Sequence, residues 1–284
     1  MARRVGKQAR TVARRPAAPR IVWSDTQSGS ASVRQPTVQR PHAEDGGQEG
    51  LPVLKLARAI AVHVAAAFWA ANSAAAVDLT ALELRWLHGA APVLAYAREQ
   101  RLPLDVVVQP QPTPGASPLA LGFVGGRCKL VLSMRGNPEA QAVLDRIEPA
   151  MMNATLELMA AHELGHCRRY LDGAWTTLPS RFVAEPPVDV PPEQREAYRQ
   201  MRAVRREEGF GDLVGLAWVQ AHHPQHYARL HAWLLAERST SRRVGTHHDT
   251  LAWLRLAGSG FEVERSSIFG AATLLWTQGL LADD

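Results

Sequence analysis

Residues 156–170 read LELMAAHELGHCRRY, and this stretch decides how the rest of the sequence is interpreted. The apolar residues Leu156, Met159 and Ala160 have the spacing of one helix face and precede the polar residues of HELGH. Residues four apart in a helix lie on the same face, so the side chains of His162 and His166 point in one direction. The pattern predicts one long helix over 150–171 that presents both imidazoles together.

The five residues His162-Glu163-Leu164-Gly165-His166 form the pattern HExxH. In this pattern both histidines bind one zinc ion and the glutamate between them is the general base. Glu163 lies beside the imidazoles, where it can accept a proton, and the small Gly165 lets another element approach the helix. We therefore predict a zinc site with His162 and His166 as ligands and Glu163 as the catalytic base. A polar helix face without metal is the alternative.

A catalytic zinc ion needs a third protein ligand and one open position for water. Residues 206–218, REEGFGDLVGLAW, supply the candidates. Glu208 and Asp212 are four apart, so Glu208 can bind the metal while Asp212 accepts the ring N–H of a liganding histidine. Glu207 is the alternative ligand, but glycine stands four residues after it. An ordinary acidic helix start explains the two glutamates without metal.

Residues 245–250, GTHHDT, precede a short apolar run. A histidine that enters a helix there can stabilise an oxyanion in the active site. His247 is the first choice and His248 the second, while a simple helix cap is the alternative. Another group of histidines has loose spacing and no neighbouring carboxylate, which favours surface or packing roles. That group is His222, His223, His226 and His231.

These three elements, in this order, resemble the gluzincin metallopeptidases. The resemblance is closest to the M48 type, the family of the CAAX prenyl protease and the HtpX heat-shock protease. The pattern of that family is HExxH, a downstream ExxxD, and a later Ser/Thr-His-Pro segment. The resemblance covers about residues 119–257 of this chain. The resemblance implies a zinc peptidase. It also implies His162, His166 and Glu208 as zinc ligands, Glu163 as the acid/base and Asp212 as a supporting residue.

The sequence departs from that family in two ways. His248 and Asp249 stand where the family usually has prolines, which bears on the role of His247. The several membrane spans of the named members are also missing. We therefore expect a compact relative that does not act on membrane-embedded substrates.

The remaining patterns predict an α+β fold, a mainly helical zincin-like domain with a small β-sheet next to the metal-binding helix. Strand-like runs stand at 106–108, 119–124 and 128–134, and Gly125-Gly126 is a plausible hairpin turn. The run Cys128–Met134 is the candidate edge strand for an extended substrate, and an interior position is the alternative.

Helix signals are also local. Thr80 and Glu83 have capping-box spacing, and Gly89 with Pro92 predicts a break or kink soon afterwards. Asn137-Pro138 starts another helix. We divide the chain into a disordered basic arm at 1–50, a helical N-terminal region at 51–103 and the metallopeptidase domain at 104–284.

The net charge of +5 is unevenly distributed. Residues 1–42 contain one acidic residue and nine basic ones, so they carry +8 and the rest of the chain carries −3. The basic residues are Arg3, Arg4, Lys7, Arg10, Arg14, Arg15, Arg20, Arg34 and Arg40. We expect no nucleic-acid binding by the folded domain, because the positive charge belongs to the arm.

Two cysteines exclude a disulfide scaffold, although a bond between Cys128 and Cys167 stays open beside a packing role for Cys167. Residues 59–77 lack formal charges and are rich in alanine, which favours a buried helix over a membrane anchor. Membrane contact through 59–77 or the arm is the alternative to a cytoplasmic location.

From these patterns we expect a zinc metalloendopeptidase that acts on a peptide or protein substrate. A catalytically silent zincin-fold binding or regulatory module is the alternative, but it would not need Glu163. A basic-arm protein that binds nucleic acid or a membrane surface is a third reading, and the acidic balance of the folded part argues against it.

Overall fold

The computed structural model describes residues 78–109, 117–180, 182, 190–240, 247–262 and 267–281, together with the backbone of a strand at 21–23. The chain divides into one unit of residues 1–24 and 79–284 and another of residues 25–78. Residues 59–77 lie outside the described residues. None of the helices in the described part combines the length and apolar character that a membrane crossing requires.

Four strands form one mixed sheet. They are β1 (Ile21–Trp23), β2 (Leu104–Val108), β3 (Leu119–Val124) and β4 (Arg127–Leu132), in the spatial order β1-β2-β4-β3. β1, β2 and β4 are parallel, while β3 runs antiparallel to β4. Gly125 and Gly126 join β3 to β4 with φ of 59° and 72°, which glycine adopts without strain. The predicted hairpin is therefore confirmed.

β4 is an interior strand, so the prediction of an edge strand at Cys128–Met134 is wrong. β4 pairs with β2 on one side and β3 on the other, and β1 and β3 are the two edge strands in the described part of the sheet. Cys128, Leu130 and Leu132 are buried on alternate positions of β4. Composition alone does not separate a central strand from an edge strand, because both favour branched apolar residues.

One segment of the predicted arm has regular structure. Ile21–Trp23 pairs in parallel with β2 at Val106 to Val108. Two β-branched residues and a tryptophan suit a strand, so the expectation of disorder does not hold at these three positions. The rest of residues 1–50 lies outside the described part.

Seven helices make up most of the described chain, which confirms a mainly helical α+β fold. They are α1 (Ala81–Glu99), α2 (Pro138–Asp145), α3 (Met152–Leu171), α4 (Arg195–His222), α5 (Tyr227–Thr240), α6 (Leu251–Leu256) and α7 (Ile268–Leu280). Thr80 and Glu83 form the expected capping box of α1, and the Asn137 side chain caps α2.

The break predicted at Gly89 and Pro92 is wrong, since α1 continues through both residues to Glu99. α1 packs on α3 within the same unit as the sheet, rather than in a region of its own. A Cβ on Gly89 would lie 2.4 Å from Leu156 Cδ1, so glycine permits this close packing. The packing free energy outweighs the poor helix propensity of both residues.

Glycines also bring α3 and α4 together. A Cβ on Gly165 would lie 3.2 Å from Gly211 Cα, and one on Gly215 would lie 2.8 Å from the Leu158 carbonyl oxygen. This close contact sets the HExxH face of α3 against the part of α4 that contains Glu208. Three fully buried tryptophans surround the helix pair with apolar surface, and they are Trp218, Trp253 and Trp276.

A disulfide joins Cys128 in β4 to Cys167 in α3, with 5.6 Å between the Cα atoms. The sequence did not decide whether this bond forms and favoured a packing role for Cys167. The prediction of a packing role is therefore wrong, because Cys167 is disulfide-bonded. It ties the sheet to the helix one residue beyond His166.

Candidate metal centre

Three side chains from two helices meet at one point. His162 Nε2 and His166 Nε2 lie 3.0 Å apart on α3. Glu208 on α4 places its carboxylate oxygens 3.5 Å from His162 Nε2 and 3.6 Å from His166 Nε2. Within the described residues, these three are the group whose His, Cys, Asp or Glu ligand atoms could hold a metal ion. The structure therefore brings together the three ligands that the sequence indicated.

The donor set fits zinc. Two imidazole nitrogens and a carboxylate oxygen are the ligands of many catalytic zinc sites. Ligands about 2.0–2.1 Å from a tetrahedral ion lie about 3.3 Å from one another, close to the separations found here. Both histidines are buried, at 8% and 5% exposure, so few waters compete for their nitrogens.

Asp212 orients His162. Its Oδ1 lies 2.9 Å from His162 Nδ1, and it is completely buried. Arg238 donates to both of its oxygens, with Nη2 2.6 Å from Oδ1 and Nε 2.9 Å from Oδ2. The Thr250 hydroxyl donates to Oδ2 at 2.6 Å. A carboxylate held from three sides fixes the N–H tautomer of His162 and turns its Nε2 toward Glu208.

His166 is held differently. In the described part of the chain its Nδ1 is buried without a hydrogen-bond partner. Its ring packs nearly at right angles to that of Trp175, with the ring centres 5.4 Å apart. Packing therefore orients the His166 ring, whereas a hydrogen bond orients the His162 ring.

The cluster is arranged to hold positive charge. Burial opposes protonation of His162, but hydrogen bonds to Asp212 and Glu208 raise its pKa to about 10. Burial and the charge on His162 lower the pKa of His166 to about 3. Burial also opposes ionisation of Glu208, yet its hydrogen bond to His162 holds its pKa well below its usual value. A divalent cation would replace the proton on His162, so metal binding should release a proton.

Glu163 lies on α3 next to this cluster and near the edge strand. The backbone N–H of Leu121 in β3 hydrogen-bonds to its carboxylate. Burial raises the pKa of Glu163 to about 7, against the opposing charge of His162. A carboxyl group with a pKa near neutrality is suited to take up and release a proton.

Glu207 faces away from the metal cluster. Its carboxylate, 1% exposed, accepts hydrogen bonds from Arg169 Nε at 2.9 Å and Nη2 at 2.8 Å. It also accepts the backbone N–H of Thr176 at 2.9 Å. One residue along a helix turns the side chain by about 100°, which separates the role of Glu207 from that of Glu208.

His248 is closer to the cluster than His247, which reverses the order of choice from the sequence. His248 Nδ1 lies 3.5 Å from a Glu208 oxygen and 2.9 Å from Arg238 Nη1. His247 is exposed, and its ring contacts the ring of His248 at a tilt of 49°, with the centres 4.0 Å apart. Both stand in a turn before α6, where neighbouring side chains point apart and sequence cannot rank them.

Two of the histidines expected to have surface or packing roles make polar contacts, and His223 does have a carboxylate as a neighbour. His223 Nε2 lies 2.9 Å from Glu157 Oε2, and His231 Nε2 lies 2.7 Å from the Leu254 carbonyl oxygen. Sequence reasoning missed Arg238, which sits in α5 within a segment that has no motif. Only the fold shows that it meets Asp212, 26 residues earlier.

A comparison with protein-family models, curated proteins and solved structures finds no match to this chain.

Proposed function

We propose that this chain is a zinc-dependent metalloendopeptidase. The observation that supports the proposal is the convergence of His162, His166 and Glu208, with the partly buried Glu163 beside them. Two imidazoles and a carboxylate would hold the ion and leave a coordination position for water. A site that only bound metal would not need a second carboxyl group, with a pKa near 7, beside Glu208.

Glu163 and Asp212 have separate roles in the proposed hydrolysis of a peptide bond. Zinc, when bound at this site, supplies a Lewis acid that polarises the substrate carbonyl. Glu163 accepts a proton from the attacking water and passes it to the leaving amine nitrogen. Asp212 keeps His162 in the tautomer that leaves Nε2 as a donor atom for the ion.

His248 is the proposed donor to the oxyanion. A guanidinium group cannot accept a hydrogen bond, so Arg238 donates to His248 Nδ1 and leaves the ring proton on Nε2. The His248 side chain is 44% exposed, so that N–H can reach a substrate. An extended substrate would lie along β3, the edge strand that contacts α3.

Zinc analysis and hydrolysis of an unstructured protein substrate test the proposal together. We expect one zinc per wild-type chain, and His162→Ala should lose it while His226→Ala keeps it. Glu163→Gln should retain zinc and lose at least about 100-fold in turnover, the usual contribution of a general base. Glu193→Gln, an exposed glutamate, is its matched control.

Two results would contradict the proposal. Full zinc content in the His162→Ala protein would refute the metal site. Zinc binding without hydrolysis of any unstructured substrate by the wild type would favour the catalytically silent module.

A further inference from the structure

Three aromatic side chains stack in a row that ends at the metal centre. The rings of Phe123 and Tyr170 are stacked with centres 5.0 Å apart, and those of Tyr170 and Trp175 with centres 4.0 Å apart. The Trp175 ring then meets the edge of His166. We call Phe123, Tyr170 and Trp175 the aromatic wall. It runs from the edge strand β3, across α3, to a predicted zinc ligand.

The aromatic wall is not simply part of the core. All three side chains are half-buried, and Tyr170 and Trp175 stand outside the hydrophobic core cluster. Tyr170 is stacked on both faces, whereas the end rings Phe123 and Trp175 each use one face for Tyr170. Half-buried rings at the ends of such a row offer apolar area for a ligand. Binding pockets typically combine such aromatic surface with a few polar groups, as the metal cluster provides here.

The turn that places Trp175 is strained. Thr176 has φ of 58°, a left-handed conformation that is rare for a β-branched residue. Such a conformation is energetically unfavourable and persists only where its surroundings impose it. Strained residues of this kind cluster at functional sites.

A buried ion pair imposes this conformation. Glu207 accepts the backbone N–H of Thr176, and Arg169 binds both Glu207 and the Thr177 carbonyl oxygen. The Arg169 guanidinium in turn lies 4.4 Å from the centre of the Trp276 ring in the core. Glu207, which the sequence offered as an alternative ligand, thus positions the turn that carries Trp175.

From this arrangement we infer that the aromatic wall binds a large apolar side chain of the substrate, next to the bond that is cut. The inference rests on the proposed peptidase function and adds its substrate class, peptides with phenylalanine, leucine or a similar residue flanking the scissile bond. A substrate strand along β3 would pass Phe123 and reach the metal centre beside Trp175. Because alternate side chains of a strand share a face, one of them would lie against the rings.

Matched fluorogenic peptides that differ only in the residues flanking one bond test this inference. We expect wild-type kcat/KM to be at least about 10-fold higher with phenylalanine or leucine than with alanine or aspartate, as apolar pockets discriminate. Trp175→Ala should reduce the ratio to within about 3-fold, chiefly by raising KM for the phenylalanine peptide. Because Trp175 also contacts His166, the zinc content of the variant is measured in parallel and kcat/KM is expressed per zinc-loaded chain, so that the ratio reports the peptide preference alone.

Further variants separate a specific role from a general loss of structure. Trp175→Phe keeps a ring and should restore the preference. Phe123→Ala, on a different element, should also weaken it. Trp233→Ala removes a half-buried tryptophan in α5 outside the aromatic wall and should leave the preference unchanged.

Peptide binding to the Glu163→Gln protein, measured by calorimetry, provides a readout without turnover. Tighter binding of the phenylalanine peptide than of the alanine peptide supports the inference, even if the wild type cleaves neither and the peptidase proposal fails. Cleavage with equal kcat/KM across the series, or a preference unchanged in Trp175→Ala, overturns the inference while the peptidase proposal stands. Equal affinities in the binding measurement also overturn it.

Discussion

Asp212 Oδ1 lies 2.9 Å from His162 Nδ1, and the same buried carboxylate accepts hydrogen bonds from Arg238 and Thr250. This arrangement connects the proposed metal site to α4, α5 and the turn before α6. The Asp212 carboxylate therefore neutralises the charge of Arg238 and also fixes the orientation of the His162 imidazole.

Asp212→Asn should lower zinc affinity by about 10–100-fold, because the amide cannot hold the His162 tautomer as a carboxylate does. Competition against a chelator measures the affinity, and circular dichroism verifies that the variant is folded. Asp172→Asn removes a carboxylate of an exposed pair with Arg168 and should leave the affinity unchanged. Unchanged affinity in Asp212→Asn would remove Asp212 from the site.

The neighbours Glu208 and Glu207 should give opposite results when each is changed to glutamine. Glu208→Gln should lose zinc and keep most of its stability. Glu207→Gln should keep zinc and lose about 3 kcal/mol in the free energy of unfolding, because Arg169 would stay buried without its partner. Zinc analysis and urea unfolding of both proteins check this. Zinc loss in Glu207→Gln alone would reverse the assignment.

Gly211→Ala should disturb the site by crowding. The added Cβ would lie 2.8 Å from His162 Cε1, so the imidazole or the helix must move. We expect at least about 10-fold weaker zinc binding and a loss of about 1–3 kcal/mol in stability, typical of overpacking. Gly122→Ala is the control, since its Cβ would lie 3.8 Å from Lys129 Cβ. Wild-type zinc affinity in Gly211→Ala would contradict this packing.

Asp105 should make stability fall in acid. Its side chain is buried, with the residue 4% exposed. Hydrogen bonds from Arg127, and to a smaller extent from Lys129, hold its pKa below the usual range. The pKa of this carboxyl is lower in the folded protein than in the unfolded chain, where it is about 4. The ionised carboxylate therefore stabilises the fold fully above about pH 4, and this stabilisation is lost as the pH falls from about 4 toward the folded-state pKa. Urea unfolding between pH 3 and 7 should show a smaller acid loss in Asp105→Asn than in the wild type. Equal losses would mean that the ion pairs do not contribute.

The Cys128–Cys167 bond should contribute about 4 kcal/mol, because it closes a loop of sequence separation 39 in the unfolded chain. Thermal unfolding with and without a reductant measures the effect, and the Cys128→Ser/Cys167→Ser double variant should not respond to the reductant. Protein purified without reductant should show no reactive thiol on denaturation. Two reactive thiols would show that the pair is reduced, as in compartments where disulfides rarely persist.

Much of the candidate site could be predicted because it depends on short-range spacing. His162 and His166 share a face at any helical position, and the Asp212 that follows Glu208 by one turn distinguished Glu208 from Glu207. The capping box at Thr80 and the glycine hairpin turn are local in the same sense.

Contacts between distant segments could not be predicted in this way. Four features depend on how helices and strands pack. They are the edge position of β3, the approach of Arg238 to Asp212, the contact of His248 with Glu208 and the perpendicular contact of Trp175 with His166. Sequence periodicity determined which residues face the same side of each element, because that follows from backbone geometry within a few residues. Which faces meet depends on the tertiary structure. Local backbone geometry permits many pairs of helix and strand faces, and close packing between the elements selects one set among them.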